Sequence, residues 1–144
     1  MKLFKECIIF GFAYSFVGFF VGLYIEKTSI GSYENFHYYS TLGGFLGAAL
    51  SWYFFVIRKT IKRAVNGLIA GVSSGIISHY FCWYSFLIVI NIQYYIFGMQ
   101  VNSLNDPPIS LFSGLFMMLL YTAYSCIFFG LITVTSGALM GYIY

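Results

Sequence analysis

Charged residues fall in islands along this chain, and the stretches between them are almost wholly apolar. Lys2, Lys5 and Glu6 stand at the start, and Glu26, Lys27 and Glu34 mark a first break. Arg58, Lys59, Lys62 and Arg63 form a compact basic knot, after which Asp106 is the sole charged residue. The uncharged stretches cover 7–25, 35–57, 64–105 and 107–144. A helix needs about 20 mostly apolar residues to cross a bilayer. The pattern therefore predicts one all-α integral membrane domain over 1–144, with four transmembrane helices near 7–25, 41–57, 65–90 and 109–135.

Composition points the same way. Of 144 residues 60% are hydrophobic and only 8% charged, with a mean hydropathy of +0.85. Soluble domains carry roughly 25% charged residues, so these side chains cannot cover a water-soluble globule. The net charge of +3 is too small for a surface that tracks phosphates, which excludes nucleic acid as a partner. The lipid bilayer is the expected surrounding.

The distribution of basic residues predicts orientation, because short cytoplasmic loops are enriched in Lys and Arg. With four spans, Lys2, Lys5, Arg58, Lys59, Lys62 and Arg63 share one side with both termini. The other side holds Lys27 beside Glu26, Glu34 and Asp106. Both termini are expected in the cytoplasm, with a bacterial inner membrane as the simplest setting, and the bias speaks against insertion both ways round. The first apolar run is long for a signal peptide and no small-x-small cleavage site follows it, so it reads as an uncleaved helix.

The last two apolar stretches exceed one crossing. For 91–99 the favoured reading is an interfacial segment after a normal span, since Gln93, Tyr94 and Tyr95 suit the headgroup layer; residues 130–144 leave the same choice open. Between them, 101–108 reads as a loop, with Pro108 in the first turn of the next helix and Asp106 as its cap. The aromatics fit interfacial belts: Tyr33, Phe36, Tyr38 and Tyr39 before the second span, Tyr94 and Tyr95 after the third, Trp52 and Tyr53 near the knot.

Glycines four apart recur in every predicted helix: Gly18 and Gly22; Gly43 and Gly47; Gly67, Gly71 and Gly75; Gly137 and Gly141. Such pairs share a helix face and let backbones approach closely, the main source of helix association where lipid is as apolar as leucine. They are expected to hold the chain's own helices together. One groove, Gly67–Gly75 with Ala70, Ser73 and Ser74, is a candidate contact for a protein partner or a second copy. Leu87, on the same helix, serves as the control position for this groove if it faces lipid. A two-helix repeat is not supported, because the glycine pairs differ in depth between the halves.

Candidate chemistry is sparse. No carboxylate lies within a span, so a proton-coupled exchanger built on a buried acid lacks its central residue. Cys7, Cys82 and Cys126 form no CxxC pair, and no nucleophile, phosphate-loop or metalloprotease motif is present. No cofactor and no metal are expected. His79 is the one ionisable residue inside a span, and it should face the bundle interior because a polar group in hydrocarbon needs a partner. The bland reading is a neutral imidazole bonded to a hydroxyl or backbone group of another helix. A conducting or pH-sensing role ranks second, and a metal role with Cys82 last, since no third ligand is evident. His37 reads as an interfacial residue.

Two functions of different kind remain. The first is a non-enzymatic subunit, modulator or immunity- or exclusion-type protein that acts by helix–helix contact. The second is an oligomeric channel or carrier for a small neutral or weakly charged solute, with Ser73, Ser74, His79, Asn91 and Gln93 lining the path.

Overall fold

The computed structural model describes residues 2–29, 33–58, 63–101 and 106–144. Lys59 and Lys62 of the basic knot, residues 102–105 of the loop, and the side chains of Lys2 and Arg63 lie outside the described residues. Among the described residues everything regular is helical: α1 (Lys2–Thr28), α2 (Phe36–Trp52) prolonged by a π-helical stretch (Tyr53–Ile57), α3 (Arg63–Tyr95) and α4 (Leu111–Ile143). Four of these segments are long and apolar enough to span a membrane: Phe4–Thr28, Phe36–Ile57, Ala64–Tyr95 and Leu111–Ile143. The chain is an integral membrane protein by that measure.

The helices are longer than the predicted spans. At about 1.5 Å per residue, the 33 residues of α3 and of α4 reach about 50 Å, beyond the full bilayer of about 40–45 Å. The interfacial reading of 91–99 is corrected for its first half. Residues 91–95 continue α3, because polar Asn91 and Gln93 do not interrupt the backbone ladder. The break comes at Gly98, where φ is 64°; glycine adopts this left-handed form without a Cβ clash. The Met99 N–H then folds back to the Gln93 carbonyl at 3.0 Å. The C-terminal choice resolves as a single helix to Ile143.

The start of α4 also differs from expectation. Pro107 and Pro108 lie in the non-helical segment ahead of it, and Ser110 rather than Asp106 is the N-cap. The Ser113 N–H donates to Ser110 Oγ at 3.2 Å, the bond serine makes at this position. A residue preceding proline is pushed toward extended backbone, which delays the helix past the Pro-Pro pair.

α1 packs on α2, α2 on α3 and α3 on α4, while α1 and α4 meet at only a few residues. The helices thus form a curled row rather than a closed square. Polarity within it is the reverse of a soluble bundle. α4 buries Gly114, Thr122, Ser125, Gly130, Thr133, Gly137 and Gly141, and exposes Phe112, Phe116, Leu120, Ile127, Leu131 and Ile143. Small and hydroxyl residues turn inward because close approach, not apolar burial, is what association in lipid gains.

Two aromatic clusters close the row on the inside. Near the termini, Phe10 lies 4.4 Å from Trp52, and Trp52 lies 5.0 Å from Tyr144, between ring centroids. At the other end Phe36 stands 5.3 Å from Trp83 and 5.9 Å from Phe86. Phe36 and Trp52, expected in interfacial belts, are buried core residues instead. Gly67 leaves room for the indole of Trp52, whose Cη2 lies 3.7 Å from where a Cβ would sit. Leu87 is corrected as well. It is buried, with Cδ2 packed into the space above Gly114.

Candidate functional site

The glycines sit at the crossings between neighbours. A Cβ at Gly18 would run into the Ser40 carbonyl oxygen, and one at Gly22 into Ser40 Oγ, so this edge of α1 lies against α2. On α2, a Cβ at Gly43 would come within 2.6 Å of the Ser78 carbonyl oxygen and one at Gly47 within 2.6 Å of the Ser78 nitrogen, both on α3. Between α3 and α4 the approach is reciprocal: Gly67 faces the Gly141 carbonyl and Gly71 the Gly137 carbonyl, each carbonyl answered by its opposite. Gly75 would set a Cβ 2.6 Å from the Cα of Val134. The Gly67–Gly75 face is therefore covered by α4 of the same chain.

Where α1 and α4 fail to close, a cavity of about 280 Å³ remains. The helices touch midway along α1, where the Tyr14 hydroxyl donates to the Thr133 carbonyl at 2.8 Å. Farther along, the rings of Tyr24 and Phe129 stand 6.4 Å apart. Gly18, Val21 and Ile25 form one wall of the cavity, and Tyr121, Tyr124, Ser125, Phe128, Phe129 and Thr133 form the other. Ser40 of α2 and Ser78, His79, Cys82 and Trp83 of α3 close its back. Its front is open, since Tyr124 and Phe128 line it while being more than half exposed.

His79 anchors the polar end. Its Nδ1 lies 3.0 Å from Ser125 Oγ and its Nε2 3.0 Å from Thr133 Oγ1. Two arrangements of protons satisfy every group. With the proton on Nε2, the ring donates to Thr133 Oγ1, which donates to the Phe129 carbonyl at 3.1 Å, and Ser125 donates to Nδ1. With the proton on Nδ1, the ring donates to Ser125, which donates to the Thr122 carbonyl at 3.2 Å, and Thr133 donates to Nε2. The imidazole thus serves as a donor toward either side with nothing orphaned.

The other residues expected on a polar path do not gather here. The Ser74 hydroxyl is buried against the Ala70 carbonyl at 2.6 Å. Asn91 Nδ2 donates to the Leu87 carbonyl at 2.9 Å and the Ile109 carbonyl at 3.0 Å, tying the end of α3 to the segment before α4. Ser73 and Gln93 are half-buried, and neither lines the cavity. Ser125, Thr133 and Tyr14, which do belong to the polar end, fall in none of the patterns read from the sequence; the signal for the two hydroxyls is the stripe of small residues on the buried side of α4. His37 does more than sit at an interface: its Nδ1 lies 2.6 Å from Glu26 Oε2, joining the end of α1 to the start of α2. Among the described residues no group of three or more His, Cys, Asp or Glu is placed to hold a metal ion. No family model matches the chain, and no curated protein or solved structure matches it either.

Proposed function

We propose that this chain acts in the membrane by contact rather than catalysis, as a four-helix subunit, modulator or immunity- or exclusion-type protein. What supports this reading is the outer surface of the row's two end helices. Phe12, Phe16 and Phe20 on α1, and Phe112, Phe116 and Leu120 on α4, are all more than half exposed and spaced four residues apart. Residues in such rows form the ridges that enter grooves of another helix. The glycine faces hold the four helices to one another, so association with a partner or a second copy falls to these ridges. A photo-crosslinking residue at Phe16 or Phe116 in intact membranes should give a discrete protein adduct, and one at Ile76 should not. Adducts with lipid alone at all three positions would remove the reading.

Both termini and the basic knot are placed on the cytoplasmic side of a bacterial inner membrane, supported by the bias in Lys and Arg. Reporter fusions after Lys62 and at the C-terminus should read cytoplasmic, and insertions within 30–32 and 102–105 external. An external C-terminus would overturn the orientation.

The cavity beside His79 favours a second reading, a carrier for a small neutral or weakly charged solute. It offers a buried polar end that a lipid-facing subunit has no need of, and intramembrane ionisable residues mark solute paths in many membrane proteins.

A further inference from the structure

We propose that the cavity between α1 and α4 binds a small, uncharged, flat ring molecule with a carbonyl or hydroxyl oxygen, a quinone-like or phenolic compound that enters from the lipid. Size narrows the occupant first. A helix about 10 Å across cannot enter, whereas a single ring system fits a space of about 280 Å³, just below the range of about 300–1,000 Å³ typical of small-molecule sites.

The lining then selects a ring. Trp83 and Tyr121 lie side by side, 5.4 Å between centroids and 35° between planes, with Phe128 and Phe129 also on the wall. Aromatic faces favour offset or edge contacts at such spacings, and a flat ligand can make several at once. A flexible acyl chain gains no such geometry. Among the described residues no Lys, Arg, Asp or Glu lines the cavity, so a charged ligand would lose its hydration without compensation. The ligand is therefore neutral.

The polar end supplies one hydrogen bond at little cost. With the imidazole proton on Nδ1, Ser125 Oγ accepts from the ring, and its own O–H can leave the Thr122 carbonyl for a ligand oxygen. That carbonyl belongs to the helix ladder and stays satisfied. Entry from the side follows from the parting of α1 and α4. Binding here rests on the cavity alone, so it holds whether or not the molecule is carried across.

The test uses the full chain in lipid nanodiscs, carrying Trp52→Phe so that Trp83 is the reporting fluorophore. The probe is duroquinone, whose fully substituted ring resists addition by the Cys82 thiol. Quenching of Trp83 should saturate, the midpoint should weaken about tenfold in Ser125→Ala through loss of one buried hydrogen bond, and saturation should vanish in Val21→Phe, which fills the cavity from α1. Circular dichroism establishes that each variant is folded, and either variant alone decides the matter if the other is not. Quenching that rises linearly throughout, as collisions within lipid produce, overturns the proposal. So does saturation unchanged in the folded variants, or a co-purified phospholipid that duroquinone fails to displace. Saturable binding with duroquinone crossing sealed vesicles no faster than it crosses protein-free ones keeps the site and removes the carrier reading. Transport of another neutral solute without saturable quenching does the reverse.

Discussion

Gly71→Leu is expected to separate α3 from α4 and to remove most of the folded protein. A Cβ at this position runs into the backbone carbonyl of Gly137, which no rotamer change can clear. Overpacking costs about 1–3 kcal/mol where side chains can shift. Here the helices themselves must part, and the close approaches at Gly67 with Gly141 and at Gly75 with Val134 go with them. A loss above about 3 kcal/mol is a large share of the roughly 5–15 kcal/mol that holds typical domains together. Thermal unfolding in a mild detergent, followed by circular dichroism, reads the effect. Ile76→Phe on the same helix is the control, since Ile76 is exposed and surface changes usually stay within about 0.5 kcal/mol. Equal and mild effects would mean that close backbone approach is not what joins these two helices.

Trp52→Ala should be the most damaging single truncation of a side chain. Trp52 is fully buried among Phe10, Tyr144 and Gly67. Removing such a side chain from a soluble core costs about 3–5 kcal/mol. In lipid the transfer share shrinks, because the bilayer solvates apolar groups as well as the core does. The lost dispersion contacts remain, so about 3 kcal/mol is expected. Trp52→Phe should behave very differently. It keeps a ring in the cluster and removes an indole N–H that has no hydrogen-bond partner, so the change should stay below about 1 kcal/mol in either direction. The same unfolding measurement, run on both variants, checks this. A phenylalanine as harmful as alanine would contradict the view of Trp52 as packing alone.

The number and rough places of the helices were legible because lipid imposes them: a charge inside a span is costly, so charges mark the ends. The partners of each face were harder to read. In α4 both faces are apolar or nearly so, and periodicity cannot say which one meets protein. The better signal is size. Gly114, Thr122, Ser125, Gly130, Thr133, Gly137 and Gly141 recur every three to eight residues along the buried side of α4, and this stripe carries both hydroxyls that meet His79. Aromatic residues misled for a related reason. A Trp or Phe near a span's end suits the headgroup layer and a core equally well, and at Phe36 and Trp52 the space beside small neighbours decided for the core. Leu87 faced the same ambiguity, and Gly114 opposite it settled the matter. The cap of α4 was misplaced because two prolines delay a helix start that Asp106 would otherwise have made.

Because each helix leans on the one just before it, and the first and last scarcely meet, the order of synthesis is also a workable order of assembly. α2 finds its seat on α1 through Gly18 and Gly22 as soon as both have entered the bilayer, α3 then meets Gly43 and Gly47, and α4 completes the row against Gly67 and Gly71. Few contacts of an early helix wait for a distant one, the Tyr14 bond to Thr133 of α4 among them. Contacts between sequence neighbours lower the entropy that must be spent on loop closure before packing begins, so this topology suits a chain threaded into the membrane from its N-terminus, one hairpin at a time.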